Sequence, residues 1–223
     1  TSQAGDTSQG EGRDTGGRGG VAGGTVADGW TASRDGEYRA ARTHTGPRLR
    51  EVKMLLWAHG MLGSPQGRKV IFLRDAGLDV VAPDMRDRDL ALRVDIAHAA
   101  ALQMLDQHPR IVLGGSSLGG LVVAVVATRL AQTHPDRVLA MVLGAPAFHV
   151  CGLVDGAPAG LTAPPDLPVH IVHGRADDVV PVGASESYVA RSGPAVTLEI
   201  VEDDHRLDQS LGRILAALKV WVP

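Results

Sequence analysis

Cysteine is nearly absent from this sequence. A single cysteine, Cys151, excludes an intrachain disulfide and fits a reducing compartment. Aromatic residues are scarce, at 3% of a chain that is 44% hydrophobic, so a core has to be built from aliphatic side chains. No basic run is long enough to follow a nucleic-acid backbone, and the formal net charge of −3 arises from interspersed acids and bases. Long apolar runs are missing too. Neither Val52–Ala58 nor LVVAVVATRLA (121–131) reaches the roughly 20 residues of a bilayer span, and Arg129 interrupts the second. The first residues contain no continuous apolar segment of the secretory kind. None of the nine histidines stands in an HExxH or Cys/His spacing. These absences lead to an expected cytoplasmic protein with no nucleic-acid or membrane partner, no metal and no cofactor.

What is present divides the chain in two. Residues 1–30 are rich in Gly, Ser, Thr and Asp, and 31–53 are charged without a sustained period. Such a stretch buries too little surface to offset the entropy of ordering. The expectation is a disordered or weakly ordered extension over 1–53 and a folded domain over 54–223. From Lys53 onward apolar runs alternate with amphipathic ones. VKMLLWA (52–58), LDVVAPD (78–84), RIVLG (110–114), RVLAMVLGAP (137–146), PVHIVHG (168–174) and AVTLEIV (195–201) read as strands. Residues 66–76, 89–109, 118–133, 183–192 and 208–221 read as helices; in the second, Leu90, Val94, Ala97, Ala101 and Leu105 recur at helical spacing. Strands apolar on both faces, alternating with helices, predict an α/β fold with a mostly parallel sheet covered on both sides.

Ligands in such sheets sit where strands end and loops enter helices. IVLGGSSLGG (111–120) lies at such a point, and Gly115, Ser117 and Gly119 satisfy G-x-S-x-G. Centred on Ser116 the pattern fails at Leu118, which makes Ser117 the candidate nucleophile and Ser116 a turn residue. A glycine-rich phosphate loop would continue into G-K-[ST], and here an apolar helix follows instead.

A serine hydroxyl needs a base to remove its proton, and the base needs an orienting acid. In an α/β sheet with this serine turn the expected chain order is Ser, acid, His. Only His205, in VEDDHRL, lies beyond the segment where the acid should stand. The acid should follow the preceding strand, where HGRADDVVPV (173–182) offers Asp177 and, adjacent, Asp178. The spacing G-x-x-D-x-x-V-P selects Asp177. Asp203 and Asp204 read as loop acids or a helix cap, and His173 as a residue packed at a strand end. For the oxyanion, the Leu118 N–H directly after the nucleophile is one donor. A second should come from HGMLGSP (59–65), from Met61 or a neighbour, because the His59-Gly60 pair permits close backbone approach.

With these residues the chain resembles the α/β-hydrolase superfamily, and more narrowly the small capless bacterial serine esterases. The matching features are HGMLGSPQGRK (59–69), PDM (83–85), GGSSLGG, HGRADDVVPV and DDHRL. Larger members carry a helical cap between the strands at 137–145 and 168–173; here a proline- and glycine-rich loop or short flap is expected instead. The resemblance implies hydrolysis of a small-molecule carboxylic ester of short or medium acyl chain through an acyl-enzyme. Met61, Leu62, Phe148 and Leu161 are the expected wall residues. Thioester, amide or carbon–carbon bond hydrolysis would use the same parts, and a non-catalytic ligand- or protein-binding protein of this fold is the alternative from another class.

Overall fold

A computed structural model describes residues 54–222. The expected N-terminal extension, 1–53, lies outside the described residues. The order of elements is β1 (Met54–Ala58), α1 (Arg68–Asp75), β2 (Asp79–Val81), α2 (Leu90–Gln107), β3 (Ile111–Ser116), α3 (Leu118–Thr133), β4 (Val138–Gly144), β5 (Val169–Gly174), α4 (Val182–Ser192), β6 (Val196–Val201) and α5 (Leu211–Lys219). Six strands form one sheet in the order β2-β1-β3-β4-β5-β6, and every pairing is parallel.

The two-residue period of the strands explains their composition. Leu56 and Ala58 of β1 pack on one face with α2, α3 and Tyr188 of α4, while Leu55 and Trp57 pack on the other with α1 and α5. Both faces are therefore covered, and alternate residues of one strand enter two separate cores. Helix α3 lies over the sheet with Leu121–Val126 all buried, so it is apolar nearly all round. Helix α2 is amphipathic and begins at Asp89, whose side chain accepts the Leu92 N–H at 2.8 Å. A cap of this kind contributes about 1 kcal/mol.

Three expected segments differ in extent. β2 pairs over Asp79–Val81 alone, because it is an edge strand and the following Pro83 has no N–H to add to a ladder. α5 runs from Leu211 to Lys219 rather than over 208–221, its first residues being taken up by turns that brace the preceding loop. Between β4 and β5 the only regular element is a single 3-10 turn, Phe148–Val150. No helix among the described residues is long and apolar enough to cross a membrane.

The chain leaves β1 toward β2 on one side and returns past β1 to β3 on the other. The strand order therefore reverses between β1 and β3. Their carboxyl ends flank a crevice, which is where open α/β sheets place ligands.

Candidate active site

Both edges of that crevice carry the residues singled out from the sequence. Ser117 follows β3 directly, with φ 54° and ψ −125°. A non-glycine residue held there costs of order 1–3 kcal/mol. The surrounding backbone maintains it: the Ser117 N–H donates to Gly144 O at 2.9 Å, and its carbonyl accepts from Gly120 and Ala147, both at 3.0 Å. Strand-to-helix closure explains the flanking glycines. A Cβ on Gly115 would stand 2.5 Å from Gly119 O, and one on Gly119 would stand 2.1 Å from Ala58 O.

Serine at a helix N-cap ordinarily turns its hydroxyl back onto the helix. Ser117 does not cap α3 with its side chain. Its Oγ lies 3.0 Å from Nε2 of His205, whose Nδ1 lies 2.7 Å from Oδ2 of Asp177. A carboxylate only accepts, so Nδ1 carries the proton and donates it, leaving Nε2 to accept from the Ser117 hydroxyl. The three residues form a continuous relay.

The other two members stand just beyond strand ends. Asp177 follows β5, and its side chain is fully buried. Oδ1 accepts the N–H groups of Val179 (2.9 Å) and Val180 (2.7 Å). Burial pushes the carboxyl upward, but the Val180 N–H, the His205 imidazole and the Val179 N–H together outweigh it and hold the group below the usual carboxylate range. Asp178 is exposed and takes no part in this set.

His205 stands on the loop after β6. Gly174 lets that loop lie against β5, since a Cβ there would meet Asp203 O and Asp204 O at 2.5 Å. Asp203, 6% exposed, accepts the N–H groups of Asp204 (2.8 Å) and Gln209 (2.9 Å), and Asp204 accepts that of Arg206 (2.7 Å). The two acids thus fold the loop that presents His205. Helix α1 ties to the same loop, with Arg68 paired to Asp208 at 2.9 Å and Lys69 donating to Arg206 O.

His173 does more than pack at a strand end. It is fully buried, with Nδ1 2.8 Å from Ser185 Oγ and Nε2 3.0 Å from Val180 O. Because the carbonyl can only accept, Nε2 carries the proton and Nδ1 accepts from Ser185. The same Nε2 lies 3.2 Å from Asp177 Oδ2, the oxygen that faces His205. The sequence signal was a histidine four residues before the candidate acid, which strand periodicity alone does not distinguish from filler.

Opposite the relay, Gly60 approaches the serine closely: a Cβ there would stand 3.2 Å from Ser117 Cβ and 3.7 Å from Oγ. Among the described residues, neither the Met61 nor the Leu118 N–H donates to a protein acceptor. Leu118 opens α3, where the first N–H groups have no intrahelical partner and carry the positive end of the helix dipole. His59 is almost fully buried; it donates Nδ1–H to Gly60 O at 2.8 Å and accepts the Met85 N–H at Nε2. Burial keeps its pKa below the ordinary histidine value.

The expected wall residues are distributed differently. Met61 and Leu62 are exposed on the β1–α1 loop beside the serine, Leu62 completely. Phe148 and Leu161 are each 5% exposed and belong to the core. Phe148 stacks on Tyr188 with ring centroids 3.9 Å apart. Leu161 borders a hollow with Val125, Thr128 and Arg129 of α3, which holds none of the three relay residues. With no helical cap to spread into, the flap folds back on the sheet and α3, and its apolar side chains fill that contact.

No family model matches the chain, and no curated protein matches it in sequence. Solved structures do. A Xanthomonas campestris protein placed with the hydrolases of the alpha/beta superfamily is 25% identical, with a TM-score of 0.59, covering 75% of this chain and 98% of that one. An α/β serine hydrolase without lid from Xanthomonas campestris is 19% identical over 79% of this chain and 84% of that one, with a TM-score of 0.58. A thermostable carboxylesterase from a metagenomic library reaches a TM-score of 0.63 at 18% identity, over 79% and 82% of the two chains.

Proposed function

The chain has the α/β-hydrolase fold, and from that premise we propose that it is a serine hydrolase cleaving carboxylic esters of short or medium acyl chain through an acyl-enzyme. The observation that carries this reading is the relay from Ser117 Oγ to His205 Nε2 and from His205 Nδ1 to Asp177, on a serine at positive φ. Ser117 attacks the ester carbonyl while His205 takes its proton, a step worth about 10²–10⁴ in rate. Asp177 fixes the imidazole tautomer and balances the imidazolium. The Leu118 and Met61 N–H groups receive the oxyanion, each such donor contributing about 3 kcal/mol to the transition state. His205 then returns the proton to the departing alcohol. Water attacks the acyl-enzyme by the same route in reverse, releasing the acid and restoring Ser117.

The acyl preference draws on the short flap between β4 and β5 and on the exposed Met61 and Leu62 at the rim. A rim of this kind covers the start of an acyl chain and leaves a long one in water. The lidless serine hydrolase and the carboxylesterase among the structural neighbours support hydrolase chemistry on this fold.

Labelling with a fluorophosphonate probe, with the adduct located by mass spectrometry, tests the reading. An adduct on Ser117 that survives Ser116→Ala and disappears in Ser117→Ala is the expected result, followed by turnover of p-nitrophenyl esters that declines toward long acyl chains. Absence of an adduct on the folded chain overturns the proposal. A preference for long chains overturns the acyl assignment alone.

A further inference from the structure

We infer that Arg93 is a positioning residue of the oxyanion loop, its guanidinium clamping the carbonyls of Gly60 and Met61 so that the Gly60–Met61 peptide presents its N–H beside Ser117. This rests on the ester-hydrolase reading above.

Arg93 lies in the first turn of α2, one residue before Val94 of the apolar stripe, and is 2% exposed. An arginine stays charged in proteins, and among the described residues no carboxylate lies within 4.0 Å of it. A buried charge without a counter-ion is costly and persists only where its donors are used. Here they are used on backbone oxygens. Nε donates to Arg88 O at 2.9 Å, Nη1 to Gly60 O at 3.4 Å and Nη2 to Met61 O at 3.4 Å. The guanidinium fork therefore spans two successive carbonyls of the loop.

Gly60 O is the centre of this arrangement. Besides Arg93 it accepts from His59 Nδ1 at 2.8 Å and from the Gly63 N–H at 3.1 Å. In a planar trans peptide the carbonyl and the following N–H point in opposite directions. Three donors gathered on Gly60 O thus turn the Met61 N–H away from Arg93. Gly60 itself lies against Ser117. Donation to the carbonyl also polarises the peptide and makes its N–H a stronger donor, by about 10–30%. Orientation and polarisation matter most when the carbonyl oxygen of a substrate becomes an anion, so they favour the transition state over the bound ester. Arg93 is enclosed beneath the loop and acts through that peptide.

The test uses the full chain with Arg93→Met and Arg93→Lys. For each variant the measurements are kcat and KM on p-nitrophenyl acetate, and inhibition by a trifluoromethyl ketone and its unfluorinated analogue. The fluorinated ketone adds to Ser117 and places an oxyanion in the hole; the plain ketone binds without doing so. In Arg93→Met, kcat and trifluoromethyl ketone affinity are both expected to fall about 10–100-fold, with KM and plain-ketone affinity within about threefold of the parent. Arg93→Lys keeps the charge without the fork and is expected to fall between parent and Met. Folded variants with kcat and fluorinated-ketone affinity within about twofold of the parent overturn the inference, as does equal weakening toward both ketones. Thermal melts identify a variant that fails to fold; if Arg93→Met does, Arg93→Lys decides by the same criterion. A parent that binds no fluorinated ketone and turns over no ester removes the hydrolase reading, and with it any oxyanion for Arg93 to serve.

Discussion

The two halves of the relay are held by different means. On the side of β1 and β3, Ser117 is fixed by the backbone: its own N–H and carbonyl are bonded to Gly144, Gly120 and Ala147, and glycines at 115 and 119 allow strand and helix to touch. On the side of β5 and β6, Asp177 and His205 are oriented through side chains as well, with His173 and Ser185 behind the Asp177 carboxylate and Asp203 folding the loop of His205. A backbone-held serine turn tolerates no added atom on its flanking glycines but is indifferent to protonation. A carboxylate and an imidazole held through side chains tolerate small changes of volume, and the carboxylate is sensitive to pH. The Met61 loop combines both, since the two side chains His59 and Arg93 hold a peptide.

The comparison can be broken most forcefully at Gly119. Gly119→Ala places a carbon 2.1 Å from Ala58 O, a backbone atom at the end of β1, so β1 and α3 have to separate. The expected loss is about 3 kcal/mol or more, read as a collapse of the thermal midpoint or of soluble expression. A Gly119→Ala protein melting with the parent would refute the close-contact account of the turn.

A smaller effect is expected on the other side. His173→Phe keeps approximate volume but leaves the Ser185 hydroxyl and the Val180 carbonyl unpaired in the interior. Destabilisation of about 1–3 kcal/mol should follow, together with a drop in kcat larger than any change in KM, because the Asp177 oxygen that faces His205 loses the imidazole nitrogen packed 3.2 Å from it. An unchanged kcat in a folded variant would reduce His173 to packing.

The mildest test is titration. Burial opposes ionisation of Asp177 and Asp203, but hydrogen bonds to both outweigh it and hold their folded-state pKa values below the ordinary ones. A depressed carboxylate stabilises the fold fully above its unfolded pKa, near 4, and loses that contribution as pH falls toward its folded value. Melting temperature should therefore decline on acidification below about pH 4–5, less steeply in Asp203→Asn than in the parent. Parallel declines would remove Asp203 from the acid-sensitive side.

Legibility in the sequence followed the range of each interaction. The strands and helices could be read because the two-residue and 3.6-residue periods are local, and they met the structure closely except where an edge strand or a bracing turn shortened an element. Ser117 could be singled out because the steric demand of its turn falls on residues two positions away. Asp177 and His205 could be singled out by chain order and by position just past a strand end. Phe148 and Leu161 could not be assigned in this way: an apolar residue in a flap reads alike if it faces a ligand or the core, and here both are 5% exposed. Arg93 was hidden for a related reason. Its two partners on the Gly60–Met61 loop are 32 and 33 residues away, reached only through the crossover of α2 beneath that loop.

Order along the chain set the alternation of elements, the apolar faces that force a doubly covered sheet, and the glycines without which the Ser117 turn cannot close. Tertiary structure alone decided which polar groups meet. Ser117 and His205 are 88 residues apart in the chain and 3.0 Å apart in space, and Arg93 gained the carbonyls of Gly60 and Met61 only when the fold set α2 beneath their loop. The physical reason is that steric and periodic constraints act between neighbours along the chain, whereas a buried hydrogen bond or charge is satisfied by whatever the fold places within about 3 Å of it.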